Sequence, residues 1–256
     1  MTFDLYVGID YSGAEAPTSR LRGLQVYLAS SGLPEKILAP SRRVNQHCNW
    51  SRQEIAEWLT DRALSGERFI AGLDHGFGFP MSYLRRYGLS TWAQFLDDFV
   101  EHWPTDEPHK HVEVVRRDHP PRTGRSNELR LCETWTSSAK SVFQFDVQGQ
   151  VAKSTHAGIP WLRRMRVAAG DRLHFWPFDG WEVTEGKSVI AEVYPSILRK
   201  RYPREKRTTD EQDAYCIARW LKETCERRFL ERYLDPPLTD EERRIAGLEG
   251  WILGIA

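Results

Sequence analysis

The sequence lacks any run approaching the roughly 18 consecutive apolar residues of a membrane-spanning helix. Its opening, Met1-Thr2-Phe3-Asp4, puts no basic segment ahead of an apolar one, so no secretory leader is expected there. Cysteine is scarce: Cys48, Cys132, Cys216 and Cys225 are the four, and none forms a C-x-x-C pair. That is too few for a disulfide-built fold and implies a reducing compartment. Net charge is absent as well. Lys plus Arg number 36 and Asp plus Glu number 36, which removes the global attraction that a strongly basic chain has for nucleic acid. There is no G-x-x-x-x-G-K-[ST] phosphate loop, no internal repeat and no linker. These absences predict a cytoplasmic protein without a membrane partner, folded as one domain over residues 1–256.

Apolar residues, at 40%, and ten Trp supply the material for a large core. The chain is organised around Leu5-Tyr6-Val7-Gly8-Ile9-Asp10, an apolar run that ends in a carboxylate and breaks into Tyr11-Ser12-Gly13. Apolar, β-branched and aromatic residues bounded by turn formers predict a buried strand that delivers Asp10 to a sheet edge. Phe69-Ile70-Ala71-Gly72-Leu73-Asp74 repeats the design ahead of His75-Gly76-Phe77-Gly78-Phe79-Pro80. A third run, Ser188 to Val193, carries Glu192 and is closed by Tyr194-Pro195.

Between these runs the pattern predicts strands over 24–29 and 36–39, making an antiparallel meander with the first. A helix then opens at Ser51, with Glu54 at capping-box spacing. The strand ending at Asp74 follows a helix, so a parallel place beside the first strand is the natural topology, with Asp10 and Asp74 at one edge. Residues 81–103 read as one helix and 172–178 as an edge strand. Periodicity is lost over about 104–158, which predicts a long insertion or lid. A helix is expected from about Ser196. A longer one is capped by Thr209 or Asp210, with Asp210 and Asp213 on one side. A C-terminal extension, about 227–256 with a Thr239/Glu242 capping box, is expected on the outside.

Carboxylates delivered by separate elements repel one another unless a cation joins them. Asp10, Asp74, Glu192, Asp213 and Asp210 are therefore candidate ligands of Mg²⁺ or Mn²⁺, hard ions that prefer oxygen. A two-metal site of this kind hydrolyses phosphodiesters, and Asp10, Asp74, Glu192 and Asp213 are the candidate catalytic residues.

The order Gly8-Ile9-Asp10, Leu73-Asp74 with Phe79-Pro80, Ala191-Glu192-Val193-Tyr194-Pro195, then Asp210-Glu211-Gln212-Asp213-Ala214 resembles the predicted-nuclease family catalogued as domain of unknown function 429, in the ribonuclease H-like superfamily. The resemblance spans about residues 5–225. It implies an α/β fold with a mixed sheet, an antiparallel meander plus parallel strands, flanked by helices. It also implies a divalent-metal site at Asp10, Asp74, Glu192 and Asp213. His75-Gly76-Phe77-Gly78 stands where the family has apolar or small residues.

Lys140, Ser154, Thr155 and Arg163, in or just after the insertion, are candidate phosphate contacts. His75 is a candidate proton shuttle. Basic clusters at Arg116-Arg117, Arg122, Arg125, Arg130, Arg163-Arg164, Arg166 and 199–207 could line a groove. The expected function is metal-dependent hydrolysis of DNA or RNA. The alternatives are a non-catalytic nucleic-acid or nucleotide binding module on the same scaffold, and a phosphotransferase, which the missing phosphate loop disfavours.

Overall fold

The apolar runs that end in acids form the centre of a mixed sheet. In the computed structural model, which describes residues 2–40, 50–118, 122–136, 139–146 and 151–256, six strands lie in the order β3-β2-β1-β4-β6-β5. The chain runs through β1 (Leu5–Asp10), β2 (Gln25–Ala29), β3 (Glu35–Ile37), α1 (Arg52–Leu64), β4 (Phe69–Leu73), α2 (Met81–Arg86) and α3 (Trp92–His102). It continues through α4 (Val112–Arg117), α5 (Leu131–Thr134), α6 (Ala152–Ala169), β5 (Leu173–Trp176), β6 (Ser188–Glu192), α7 (Thr209–Glu226), α8 (Leu230–Leu234) and α9 (Asp240–Glu249). Strands β1, β2 and β3 form the antiparallel meander, while β1, β4, β6 and β5 run parallel. Cys48 lies outside the described residues.

Strand side chains alternate between two faces, and each face has its own core. Val7, Ile9, Phe69, Ala71, Leu73 and Ile190 pack with α1, α3 and α6. Tyr6, Ile70, Val189 and Ala191 pack with α7 and the C-terminal residues. Helix α1 begins with the capping box of Ser51 and Glu54, and α9 with that of Thr239 and Glu242. Helix α7 begins one residue before expectation, because Thr208 and Glu211 form its box.

Four expectations need correction. The helix expected over 81–103 is two helices, because Gly88 turns at φ +68° and Thr91 caps a new start for α3. The irregular insertion ends early. Helix α6 starts at Ala152 and is buried along most of its length, so packing against α1 and α3 overrides the weak propensity of its Ser, Thr, His and Gly. After Tyr194 there is only a short 3₁₀ turn, Pro195–Ile197. The C-terminal extension is no external appendage: Trp251, Ile252 and Leu253 are buried, and the Leu253 N–H donates to the Glu192 carbonyl at 2.8 Å.

Candidate active site

Asp10 is the last residue of β1, and Asp74 follows β4 directly, its N–H donating to the Ile9 carbonyl at 3.0 Å. Both lie at the carboxyl end of adjacent parallel strands. Two residues back, Gly8 and Gly72 are register partners. A Cβ on Gly8 would overlap the Ala214 carbonyl oxygen, and one on Gly72 would overlap the Ile217 and Val193 side chains. The missing methyls let the backbone of α7 settle onto the sheet, which brings Asp210 and Asp213 over the strand ends. The loop after Asp10 is held from the other side, where the buried Arg52 of α1 donates to the carbonyls of Ser12 (3.1 Å), Ala14 (2.6 Å) and Glu15 (2.8 Å).

The charges register this crowding. Burial, then Asp74, Asp210 and Asp213, push the Asp10 carboxyl well above its ordinary range, with Arg199 working against them. Burial, then Asp213 and Glu192, raise Asp74 to about 8, opposed by Arg199 and by a hydrogen bond with Asp10. Asp210 is raised by burial and by Asp213. The Arg199 guanidinium forks onto Asp213, its Nε at 2.8 Å from Oδ1 and its Nη2 on Oδ2, and that bond holds its proton more firmly than usual. Arg199, read from sequence only as one of a basic run, is the cation of this cluster.

Glu192 stands apart. It is the register partner of Leu73, not of Asp74, so its parity is that of Ile9 and Leu73, opposite the face of Gly8 and Gly72. Its Oε1 accepts from Arg130 Nη2 at 2.6 Å, and its Oε2 accepts from Arg130 Nη1 at 2.7 Å and from the Phe77 N–H at 3.0 Å. Arg130 also donates through Nε to Glu133 at 2.8 Å, and all three side chains are buried. Glu192 lies at the same end of the sheet as Asp74, lines one cavity with it and adds to its raised proton affinity, whereas the acids acting on Asp10 are Asp74, Asp210 and Asp213. It neighbours Asp74 but is held by a guanidinium. Nothing local marks Arg130 in the sequence, since its partner lies 62 positions away.

A cavity of about 250 Å³ opens between these groups, lined among others by Asp74, His75, Arg130, Lys140, Glu192 and Tyr194. Of the candidate phosphate contacts, Lys140 alone lines it, as an exposed amine. Ser154 Oγ donates to the Val151 carbonyl at 2.9 Å, and the fully buried Thr155 accepts from the Gly76 N–H at 2.8 Å. Arg163 pairs with Asp97 on α3 at 2.7 Å and lines a separate groove between α1 and α6. Each of these three has a partner within the protein and none lines this cavity. Other members of the basic clusters are likewise paired with acids, Arg116 with Glu113 and Asp146, Arg164 with Asp106, and Arg166 with Asp179.

His75 is enclosed by Tyr11 and Phe77, with ring centroids 4.4 and 5.0 Å away, and burial lowers its pKa to about 4. A ring that stays neutral at working pH is a poor proton shuttle. Its Nδ1 donates to the Gly76 carbonyl at 3.0 Å, which leaves the buried Nε2 lone pair without a partner among the described residues. The glycines around it have a packing role, since a Cβ on Gly76 would crowd Thr155 and one on Gly158 would strike the imidazole.

Among the described residues no three Asp, Glu, His or Cys side chains converge closely enough to enclose a metal ion as they stand. Asp213 is held by Arg199 and Glu192 by Arg130, while among the described residues no cation forks onto Asp10 or Asp74. Also among the described residues, no helix is long and apolar enough to cross a membrane. Comparison of the chain with family models, with curated proteins and with solved structures gave no match.

Proposed function

We propose that this protein is a ribonuclease H-like, divalent-cation-dependent hydrolase of phosphodiester bonds in DNA or RNA. One observation carries the reading: Asp10 and Asp74, buried on adjacent parallel strand ends beneath Asp210 and Asp213, are both pushed to high proton affinity, first by burial and then by acidic neighbours, Asp74 acting on Asp10 and Asp213 on both. The meander beside parallel strands supports it, being the arrangement that the resemblance implies. The donor set suits Mg²⁺ or Mn²⁺, being dominated by hard carboxylate oxygens with no sulfur among them. Asp10, Asp74, Asp213 and Asp210 would hold the ion. When bound, such an ion polarises a phosphoryl oxygen and acidifies its water.

The chain's own part follows from its charges. Asp74 gives up a proton on binding a cation, so cation affinity rises with pH up to about 8. The Arg199 side chain, 46% exposed, is free to swing from Asp213 towards solvent, where it can meet a phosphate. Lys140 supplies a second positive charge at the cavity's mouth. The two arginine forks also favour a second reading, a binding module without turnover, because they neutralise two of the five carboxylates. A gel assay with single-stranded, duplex and branched DNA and RNA, in Mn²⁺ and in EDTA, separates them. Mn²⁺-dependent cleavage that Asp10→Asn abolishes supports the hydrolase. Retention of nucleic acid with no cleavage by the wild type supports the module.

A further inference from the structure

We infer that this site takes one divalent cation, not two, and that the Arg130 guanidinium is the protein's own fixed positive charge where a second ion would otherwise bind through Glu192. The inference rests on the cation-dependent reading above and sets the composition of that site.

Register comes first. A two-ion site needs carboxylates that reach both ions across roughly 4 Å. Asp10 and Asp74 leave the sheet on one parity and Glu192 on the other, because Glu192 pairs with Leu73 and the residue beside Asp74 on β6's extension is the apolar Val193. Hydrogen bonding closes the alternative. Both Glu192 oxygens are occupied, by two Arg130 nitrogens at 2.6 and 2.7 Å and by the Phe77 N–H at 3.0 Å. Arg130 cannot shed its charge and has little room to leave, since its side chain is 1% exposed and Glu133 holds its Nε. A metal ion drawing Glu192 away would strand a buried guanidinium, which is strongly unfavourable. Arg199 is the contrast. It holds Asp213 with a similar fork, but its half-exposed side chain can exchange that carboxylate for water, so Asp213 can be released to a cation.

One acceptor in the cavity beside this pair is open to a polar ligand. His75 is 1% exposed and its Nε2 has no donor among the described residues, although the ring lies in the wall of the cavity that Asp74, Arg130 and Glu192 share. A water carried by a single bound cation, or a phosphate hydroxyl, would satisfy that lone pair.

Calorimetric titration of the whole chain with Mn²⁺ tests the proposal without any substrate. Wild type should bind one ion. Glu192→Gln should keep that ion with a Kd within about threefold of wild type, whereas Asp74→Asn should weaken it tenfold or more. Arg130→Gln, which removes the fixed charge but keeps a hydrogen-bonding side chain, should admit a second, weaker ion. Two ions in wild type, a tenfold loss in Glu192→Gln, or a single ion in folded Arg130→Gln would each overturn the proposal. Should Arg130→Gln not fold, the other proteins decide. Two ions in a protein that cleaves nucleic acid removes this inference and leaves the hydrolase reading standing. No Mn²⁺ binding by wild type removes both.

Discussion

Asp74→Asn in metal-free buffer should change the way stability depends on pH. In the folded protein burial and the neighbouring carboxylates raise Asp74 to about 8, while in the unfolded chain it titrates near 3.8. Between those values the folded state keeps a proton that the unfolded chain has released, so stability falls as pH rises and the loss is complete once pH passes 8. His75, lowered to about 4, and His156, lowered to about 3, have the opposite sign, as does His174. Buried neutral, they bind fewer protons than the unfolded chain below its histidine pKa of about 6.5, and they favour the fold as pH rises towards that value. Each histidine still contributes about 0.4 kcal/mol at pH 6.5, but equally in wild type and Asp74→Asn, so the difference between the two proteins isolates the carboxylate effect between pH 6.5 and 8. At about 1.4 kcal/mol per unit, tapering towards the pKa, wild type should lose about 1.5 kcal/mol relative to Asp74→Asn across that window. Asp74→Asn should be the more stable protein at pH 8, since it also relieves Asp10. Urea denaturation followed by tryptophan fluorescence in EDTA at the two pH values measures both. An equal loss in the two proteins would refute the claim that these carboxylates are crowded.

Gly8→Ala places a methyl on the Ala214 carbonyl, and because backbone cannot rotate away it should cost about 3 kcal/mol in urea denaturation and blunt any response to Mn²⁺. A cost below about 1 kcal/mol would mean that α7 is not seated as described. Arg199→Gln frees Asp213 from its guanidinium, so Mn²⁺ affinity by calorimetry should rise severalfold; an unchanged or weaker affinity would show that Asp213 is not a ligand. Thr155→Val leaves the Gly76 N–H without its buried acceptor and should cost about 1–3 kcal/mol of stability. Lost nucleic-acid binding at unchanged stability would return Thr155 to the substrate.

What was legible in the sequence was local. An apolar run closed by an acid and then by turn formers marks a strand end, and that signal placed Asp10 and Asp74 at the edge of adjacent parallel strands. Hydroxyl and glutamate three apart marked the starts of α1 and α9. What escaped depends on contacts distant in sequence. Arg130 looked like one more surface arginine because its partner Glu192 comes from another element. The start of α6 was hidden because Ser154, Thr155, His156 and Gly158 are poor helix formers, kept helical by burial against α1, α3 and the turn after β4. Glu192 shows the limit of counting strand-end acids. One residue of register moves a side chain to the other face, and an apolar run of that length fixes no register by itself.

The central claim, that Asp10 belongs to a carboxylate cluster built for a divalent cation, is tested most directly by thermal melts of wild type and Asp10→Asn, each in EDTA and in Mn²⁺. In EDTA the variant should melt at or above the wild-type temperature, because it removes one of several mutually repelling charges. Mn²⁺ at 100 times its Kd should stabilise wild type by about 2.7 kcal/mol and the variant by much less. Equal shifts in the two proteins, or a variant that fails to fold in EDTA, would make Asp10 a structural strand end and contradict the account.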